Sequence, residues 1–348
     1  MKKKLALALS LVMVMGLALT SCGSDSGSSA PAASTPAAST PAASTPAAEG
    51  VGKAGGTNLT FTTGGETGTY YGFGNVIANK VGDMTSTSVK AITSGGSAAN
   101  IQALEDGDAQ LGFVQSDVMV YAYNGERTFA ETGASTGFST VANLYMEQVQ
   151  VITVDPSIKT IADLAGKKVS VGAAGSGVFF NAVDVLGIYD LDVEKDIIPT
   201  YQSFGDSAEA LKDGQIDAAF IVAGAPTTAV TDLASGRDIT VVSLDEEHIE
   251  ALIASSPYYS KATIAKDVYG TAEDATTVAV GAVVIARDDV SEADVYNFLC
   301  GTFEDIAGLS HGKAAELSLE FASSVTSIGY HPGAVAYFAD KGIEVPAK

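Results

Sequence analysis

Two glycine-rich stretches carry residue types that could hold an anion. Thr63-Gly64-Gly65-Glu66-Thr67-Gly68-Thr69 and Gly172-Ala173-Ala174-Gly175-Ser176-Gly177 each stand between a β-rich run and a helical one. A helix start leaves its first N–H groups unpaired and carries a partial positive charge, so such a loop can bind a carboxylate without a cationic side chain. That route suits a chain whose only arginines are Arg127, Arg237 and Arg287. The same glycines would also serve tight strand-to-helix turns with no ligand at all. A third loop, Ser94-Gly95-Gly96-Ser97, offers Ser97 as a helix cap or as a ligand donor. Gln115-Ser116-Asp117 closes a β-rich run with an amide, a hydroxyl and a carboxylate, and Asp117 is equally suited to capping the helix behind it.

Catalysis finds little support in the pattern. No Gly-Lys-Ser/Thr follows either glycine loop and neither has a full GxGxxG fingerprint, which disfavours nucleotides. The histidines, His248, His311 and His331, form no HExxH or metal-spaced cluster, and no GxSxG elbow surrounds Ser97 or Ser176. No catalytic residue, metal or cofactor is therefore expected. Cys300 lies in the helical stretch from Tyr296 to Phe303 and reads as a buried apolar residue. A net charge of −22 makes nucleic acid a poor partner.

The elements around these loops alternate. Leu59 to Thr63, Val89 to Thr93 and Gln110 to Gln115 read as strands, separated by helices from Thr69, Ser97 and Asp117. The rhythm then recurs, with strands at Val169 to Gly172, Ile197 to Tyr201 and Ile216 to Val222 and helices from about Val178, Asp206 and Thr227. Gly68-Thr69-Tyr70-Tyr71 is echoed by Gly177-Val178-Phe179-Phe180, and Ala103-Leu104-Glu105-Asp106-Gly107 by Ala210-Leu211-Lys212-Asp213-Gly214. Two similar α/β halves are thus predicted. Long apolar strands at Leu144 to Val154 and Thr276 to Ile285 would cross between them as a hinge, and helices within Ser291 to Asp340 would return to the first half. The expected lobes are 57–150 plus 280–348, and 151–279.

The start of the chain reads as an export signal. Lys2, Lys3 and Lys4 precede an apolar run from Leu5 to Leu19, and Leu19-Thr20-Ser21-Cys22 closes it. This resembles the lipobox of bacterial lipoproteins, which makes residues 1–21 a signal peptide and Cys22 a lipid anchor; an ordinary signal peptide with a chance cysteine is the alternative. From Cys22 to about Gly56 the composition is dominated by Gly, Ser, Ala, Pro and Thr, with Pro-Ala-Ala-Ser-Thr repeated from Pro31, Pro36 and Pro41. Such a segment builds no core and suits an extended tether. With Cys22 consumed, Cys300 has no partner for an intramolecular disulfide.

The folded part resembles the TAXI family, the extracytoplasmic solute receptors of TRAP transporters, over residues 57–348. The carrying stretches include Gly68-Thr69-Tyr70-Tyr71, Gly95-Gly96-Ser97-Ala98-Ala99-Asn100, Val114-Gln115-Ser116-Asp117, Ala122-Tyr123-Asn124-Gly125 and the Gly172–Gly177 loop. Further matches are Leu211-Lys212-Asp213-Gly214-Gln215-Ile216-Asp217-Ala218, Val222-Ala223-Gly224-Ala225-Pro226 and His331-Pro332-Gly333-Ala334. The resemblance implies an α/β, two-lobed, periplasmic-binding-protein-like fold (type II) that closes on a glutamate-like amino acid or a dicarboxylate and hands it to an ion-gradient-driven TRAP-type permease. By position it places Tyr70, Ser97, Gln115, Ser116, Asp117, Ser176, Gly177 and Gly224 at the ligand, with Tyr71 and Asn181 as weaker candidates. Ala225 stands where many relatives are expected to carry His. A monomer is expected. A ligand-sensing or adhesion lipoprotein is the alternative, and an exported hydrolase would need Ser97 or Ser176 beside His331.

Overall fold

The structure is a computed structural model that describes residues 51–348, so the signal segment, Cys22 and the Pro-Ala-Ala-Ser-Thr repeats lie outside the described residues. The first half runs β1 (Asn58–Thr62), α1 (Thr69–Met84), β2 (Ser88–Ile92), α2 (Ser97–Glu105), β3 (Leu111–Gln115) and α3 (Ser116–Asn124), followed by the long β4 (Phe138–Thr153). The second half repeats the order with β5 (Lys168–Ser170), α4 (Val178–Ile188), β6 (Ile198–Thr200), α5 (Phe204–Lys212), β7 (Ala218–Ala223) and α6 (Thr228–Gly236). β8 (Thr240–Val241), α7 (Glu246–Ser255) and β9 (Ser260–Ile264) lead to the second long strand, β10 (Ala275–Arg287), and α8 (Glu292–Phe303), α9 (Leu319–Ala322) and α10 (Pro332–Asp340) finish the chain.

The strands form one curled mixed sheet in the order β2-β1-β3-β10-β4-β7-β5-β6. Within each half the three short strands are parallel in the order second, first, third. The two long strands join the halves. β10 pairs antiparallel with β3 through residues 282–286 and with β9 through 275–279, while β4 runs along β10 and then pairs with β7 through 148–153. The molecule is therefore a two-lobed α/β protein with two strands crossing between the lobes.

Burial follows the same division. Apolar side chains from 59–145 and 282–338 pack as one cluster, joined by Phe180 from the other lobe, and those from 149–280 form two more. β3 is buried along its whole length, as expected of a parallel strand covered on both faces. One aromatic of each echoed pair reaches the core: Tyr70 stacks on Phe113 at 4.6 Å, and Phe180 packs beside Phe129 at 6.1 Å. Gly107 and Gly214, in the echoed Asp-Gly pairs, have φ of +81° and +68°, the left-handed turn that ends α2 and α5 before a buried strand.

Strand limits fall within two residues of expectation in the first half, and the helices begin where their glycines and serines indicate. β4 is longer than predicted because its first part, from Phe138, lies against β10. The stretch holding β8, α7 and β9 carries no sequence expectation, and its burial shows why: α7 buries only Ile249 and Leu252, and β9 only Ile264. Among the described residues no helix is long and apolar enough to cross a membrane.

Candidate ligand-binding cleft

Three helix starts meet where the lobes face each other. α1, α2 and α4 begin after Gly68, Gly96 and Gly177, and no side chain caps any of them. A glycine at this position has no side-chain oxygen to offer the N–H groups behind it. The N–H groups of Thr69 and Tyr70, of Ser97 and Ala98, and of Val178 and Phe179 consequently have no hydrogen-bond partner among the described residues. All three glycines line one cavity of about 70 Å³, as does Ser203, the residue before α5. None of the lining side chains is cationic.

The cavity is narrowed by contact of the Ser94–Ser97 loop and the start of α2 with the Gly172–Gly177 loop. Ala99 N–H donates to the Gly175 carbonyl at 3.0 Å, so one α2 donor is satisfied from the opposite lobe. A β-carbon on Gly95 would lie 2.9 Å from the Ala174 carbonyl oxygen, and one on Gly96, whose φ is +110°, 3.3 Å from the Ser176 α-carbon. On the other side of the cleft, Thr69 Oγ1 donates to the Gly224 carbonyl at 2.8 Å and Ala229 N–H to the Thr67 carbonyl at 3.2 Å. These bonds tie the lobes in a closed arrangement.

An acid completes the wall. Glu147, on β4 where it crosses between the lobes, is only 2% exposed and accepts a 2.6 Å hydrogen bond from the Tyr70 hydroxyl. Burial pushes its carboxyl up to about 8; the Asp117 charge adds to the rise, while the Tyr70 bond and Lys313 oppose it. Lys313 is itself buried and paired with Glu316 at 2.5 Å. The cavity therefore joins three bare helix starts to a carboxyl whose burial favours its neutral form.

These helix starts on a two-lobed frame coincide with a family match over residues 61–342. The chain belongs to the NMT1-like family. Its fold is similar to the periplasmic aliphatic sulphonate binding protein SsuA from Escherichia coli, at 17% identity and a TM-score of 0.43 over 82% of this chain and 84% of that one. It is also similar to the GluR0 ligand-binding core from Nostoc punctiforme in complex with L-glutamate (14% identity, TM-score 0.43, 76% and 98% covered) and to lipoprotein Tp32 from Treponema pallidum (12%, 0.42, 70% and 90%).

In this NMT1-like chain the cavity gathers Tyr70, Ser97, Gln115, Ser176 and Gly177 from the expected site residues. Ser116, Asp117 and Gly224 stand off its wall. Ser116 Oγ accepts from Gly281 N–H at 3.0 Å and so ties α3 to β10. Asp117 is buried behind Gln115, bonded to Asn181 at 3.1 Å rather than capping its own helix. The Gly224 α-carbon is packed against Lys313 and Tyr145, and its neighbours Val222 and Ala223 reach the wall instead. Tyr71 is half-buried away from the cavity, and Ala225 uses its N–H on Gln148 Oε1 at 3.0 Å. His331 caps α10, its Nδ1 accepting from Gly333 N–H at 3.2 Å, and is not among the lining residues, so the hydrolase arrangement does not form at Ser97 or Ser176. Cys300 is buried, with its thiol pushed up to about 11 by desolvation. Glu147 and Phe204 are lining residues that sequence reasoning missed. A lone acid in the apolar Leu144 to Val154 strand was the available signal, because buried strands almost never carry an unpaired carboxylate.

Proposed function

We propose that this NMT1-like protein is an extracytoplasmic solute-binding lipoprotein of the TAXI type. It captures a small organic acid or amino acid, glutamate-like or dicarboxylate, and delivers it to a TRAP-type permease driven by an ion gradient, while lipidated Cys22 holds it at the membrane. The observation that carries this reading is the convergence of three uncapped helix starts on one cavity between two lobes.

A carboxylate at these starts would accept from backbone N–H groups of Thr69 and Tyr70, Ser97 and Ala98, or Val178 and Phe179, in a desolvated space where each charge-assisted bond is strong. Ser97, Gln115 and Ser176 would contribute side-chain contacts, and Gly177 allows close backbone approach. Glu147 favours a solute that also brings an ammonium or another donor. Water needs about 10–15 Å³ of such space, so about 70 Å³ suits a compact solute of a few water-sized groups. The acidic surface does not forbid an anion, since exposed charges are screened beyond about 8–10 Å whereas the helix starts act at contact.

Closure would follow from contacts supplied by both lobes, with β4 and β10 bending as the hinge. The test is a thermal-shift screen of protein unfolded and refolded to strip co-purified solute, against amino acids and mono- and dicarboxylates. A dose-dependent rise in melting temperature with one acid supports the reading, because binding to the folded state must stabilise it. No rise with any acid in folded protein overturns it.

A further inference from the structure

The lobes meet at a second seam, next to the cavity but separate from it. Asp117 and Tyr121 of α3, with Arg127 just beyond, face Asn181 and Asp184 of α4 and Tyr259 before β9. Asn181 Nδ2 donates to Asp117 Oδ2 at 3.1 Å and to the Tyr259 hydroxyl at 2.8 Å. Tyr259 in turn donates to Asp184 Oδ2 at 3.0 Å, and Arg127 pairs with Asp184 Oδ1 at 2.6 Å. Gln115, which lines the cavity, donates its Nε2 to Asn181 Oδ1 at 2.9 Å and so links the seam to the site. Asp117 is fully buried, and its Oδ1 has no hydrogen-bond partner.

We propose that this seam is a cross-cleft lock in which Asp117 takes up a proton as the lobes close, so that solute retention depends on pH. The inference rests on the solute-binding reading above. Its basis is the set of groups around Asp117. From α4 come the neutral Asn181 and the acidic Asp184, from the segment before β9 Tyr258 and Tyr259, from its own helix Tyr121, and from β4 Glu147. The cation of the seam, Arg127, is engaged by Asp184 and lies over the Tyr121 ring at 4.8 Å. A carboxylate withdrawn from water without its own cation favours the neutral form.

Opening would carry Asn181, Asp184 and Tyr259 away with α4 and return water to Asp117, which sits in the first turn of α3 where a helix start favours the anion. In the closed protein burial pushes the Asp117 carboxyl up to about 7; the Asp184 charge adds to this, and the Val118 backbone and the Asn181 amide oppose it. A value higher in the closed state than in the open one means that closure is favoured at low pH, weakens as pH rises from the ordinary carboxylate range toward about 7, and changes no further above it. One linked proton changes affinity by at most about tenfold per pH unit.

The test is the affinity of the full chain for L-glutamate and 2-oxoglutarate from pH 5.5 to 8.5, in the wild type and in Asp117→Asn, with melting temperatures to verify folding. The lock predicts wild-type binding that weakens by up to about tenfold per pH unit from 5.5 to about 7 and levels off above 7, and Asp117→Asn binding that lacks this decline. Parallel profiles overturn the lock and leave the decline to Glu147, whose titration has the same sign. A solute-free measurement separates the lock from the ligand reading: spin labels at Lys90→Cys and Lys195→Cys, on opposite lobes of a Cys22→Ser chain, report the distance across the cleft. That distance should shorten as pH falls through 7 and should not respond to pH when Asp117→Asn is added; a pH-independent distance in the parent overturns the proposal. If neither probe binds at any pH, the ligand assignment fails while the distance still decides the lock.

Discussion

A β-carbon on Gly177 would stand 1.9 Å from Gln115 Oε1 and 2.9 Å from Ser97 Oγ, both across the cleft. The backbone itself permits alanine, since φ is −71°. Gly177→Ala should therefore fold normally and fail to close: the expected result is an unchanged melting temperature without solute and at least about a hundredfold weaker binding by calorimetry, a loss of roughly 3 kcal/mol. Glu147 gives a pH signature. Burial pushes its carboxyl from the ordinary range near 4.5 up to about 8, so that burial costs nothing at low pH and progressively more as pH rises between those values. Melting temperature should fall from pH 5 to pH 8, and Glu147→Gln should remove several degrees of that fall, measured as the difference between the two pH–melting curves. The residue that makes this prediction was the hardest to find in the sequence. A single Glu inside an apolar strand shows neither its neighbours nor its face, and Tyr70, Asp117 and Lys313 reach it from three separate segments.

At the scale of elements, each of the three uncapped helix starts is defined by what its first residue lacks. Gly68 has φ −99° and ψ 162°, a geometry that a capping aspartate adopts readily. Gly68→Asp should put a carboxylate onto the N–H groups of α1, where it competes with the solute. The expected outcome is a melting temperature equal to or above that of the parent and affinity for acid probes reduced about tenfold or more, read by thermal shift and calorimetry on the same protein; unaltered affinity would remove α1 from the site. These helix starts were legible because the strand–glycine–helix pattern is local, and the echo between Gly68-Thr69 and Gly177-Val178 marked both. What the pattern could not separate is a residue that faces the cavity from one that faces the other lobe. Gln115, Ser116 and Asp117 are consecutive, yet they go to the cavity, to β10 and to α4, because a strand ends and a helix begins between them.

For the whole molecule, the crossing strands were legible as two long apolar runs, and under the proposed closure they are the two segments about which the lobes would turn. Near the crossing, β10 pairs with β4 across register shifts at Ala282/Val283 and Val284/Ile285, irregularities that loosen the ladder. The β-carbon position of Gly281 lies 2.7 Å from Asn143 Oδ1, so Gly281→Val should splay β4 from β10 there and lower the melting temperature by several degrees. The edge elements β8, α7 and β9 escaped sequence reading because they bury too few side chains to show a period. The central claim is that the cleft grips a carboxylate through backbone N–H groups. Calorimetry at pH 6.5 on stripped protein, comparing a bound dicarboxylate or amino acid with the same molecule whose carboxylate is converted to the primary amide, tests it most directly. The account predicts that the amide binds at least about a hundredfold more weakly, the value of losing one or two charge-assisted bonds. Equal affinity for acid and amide would contradict it.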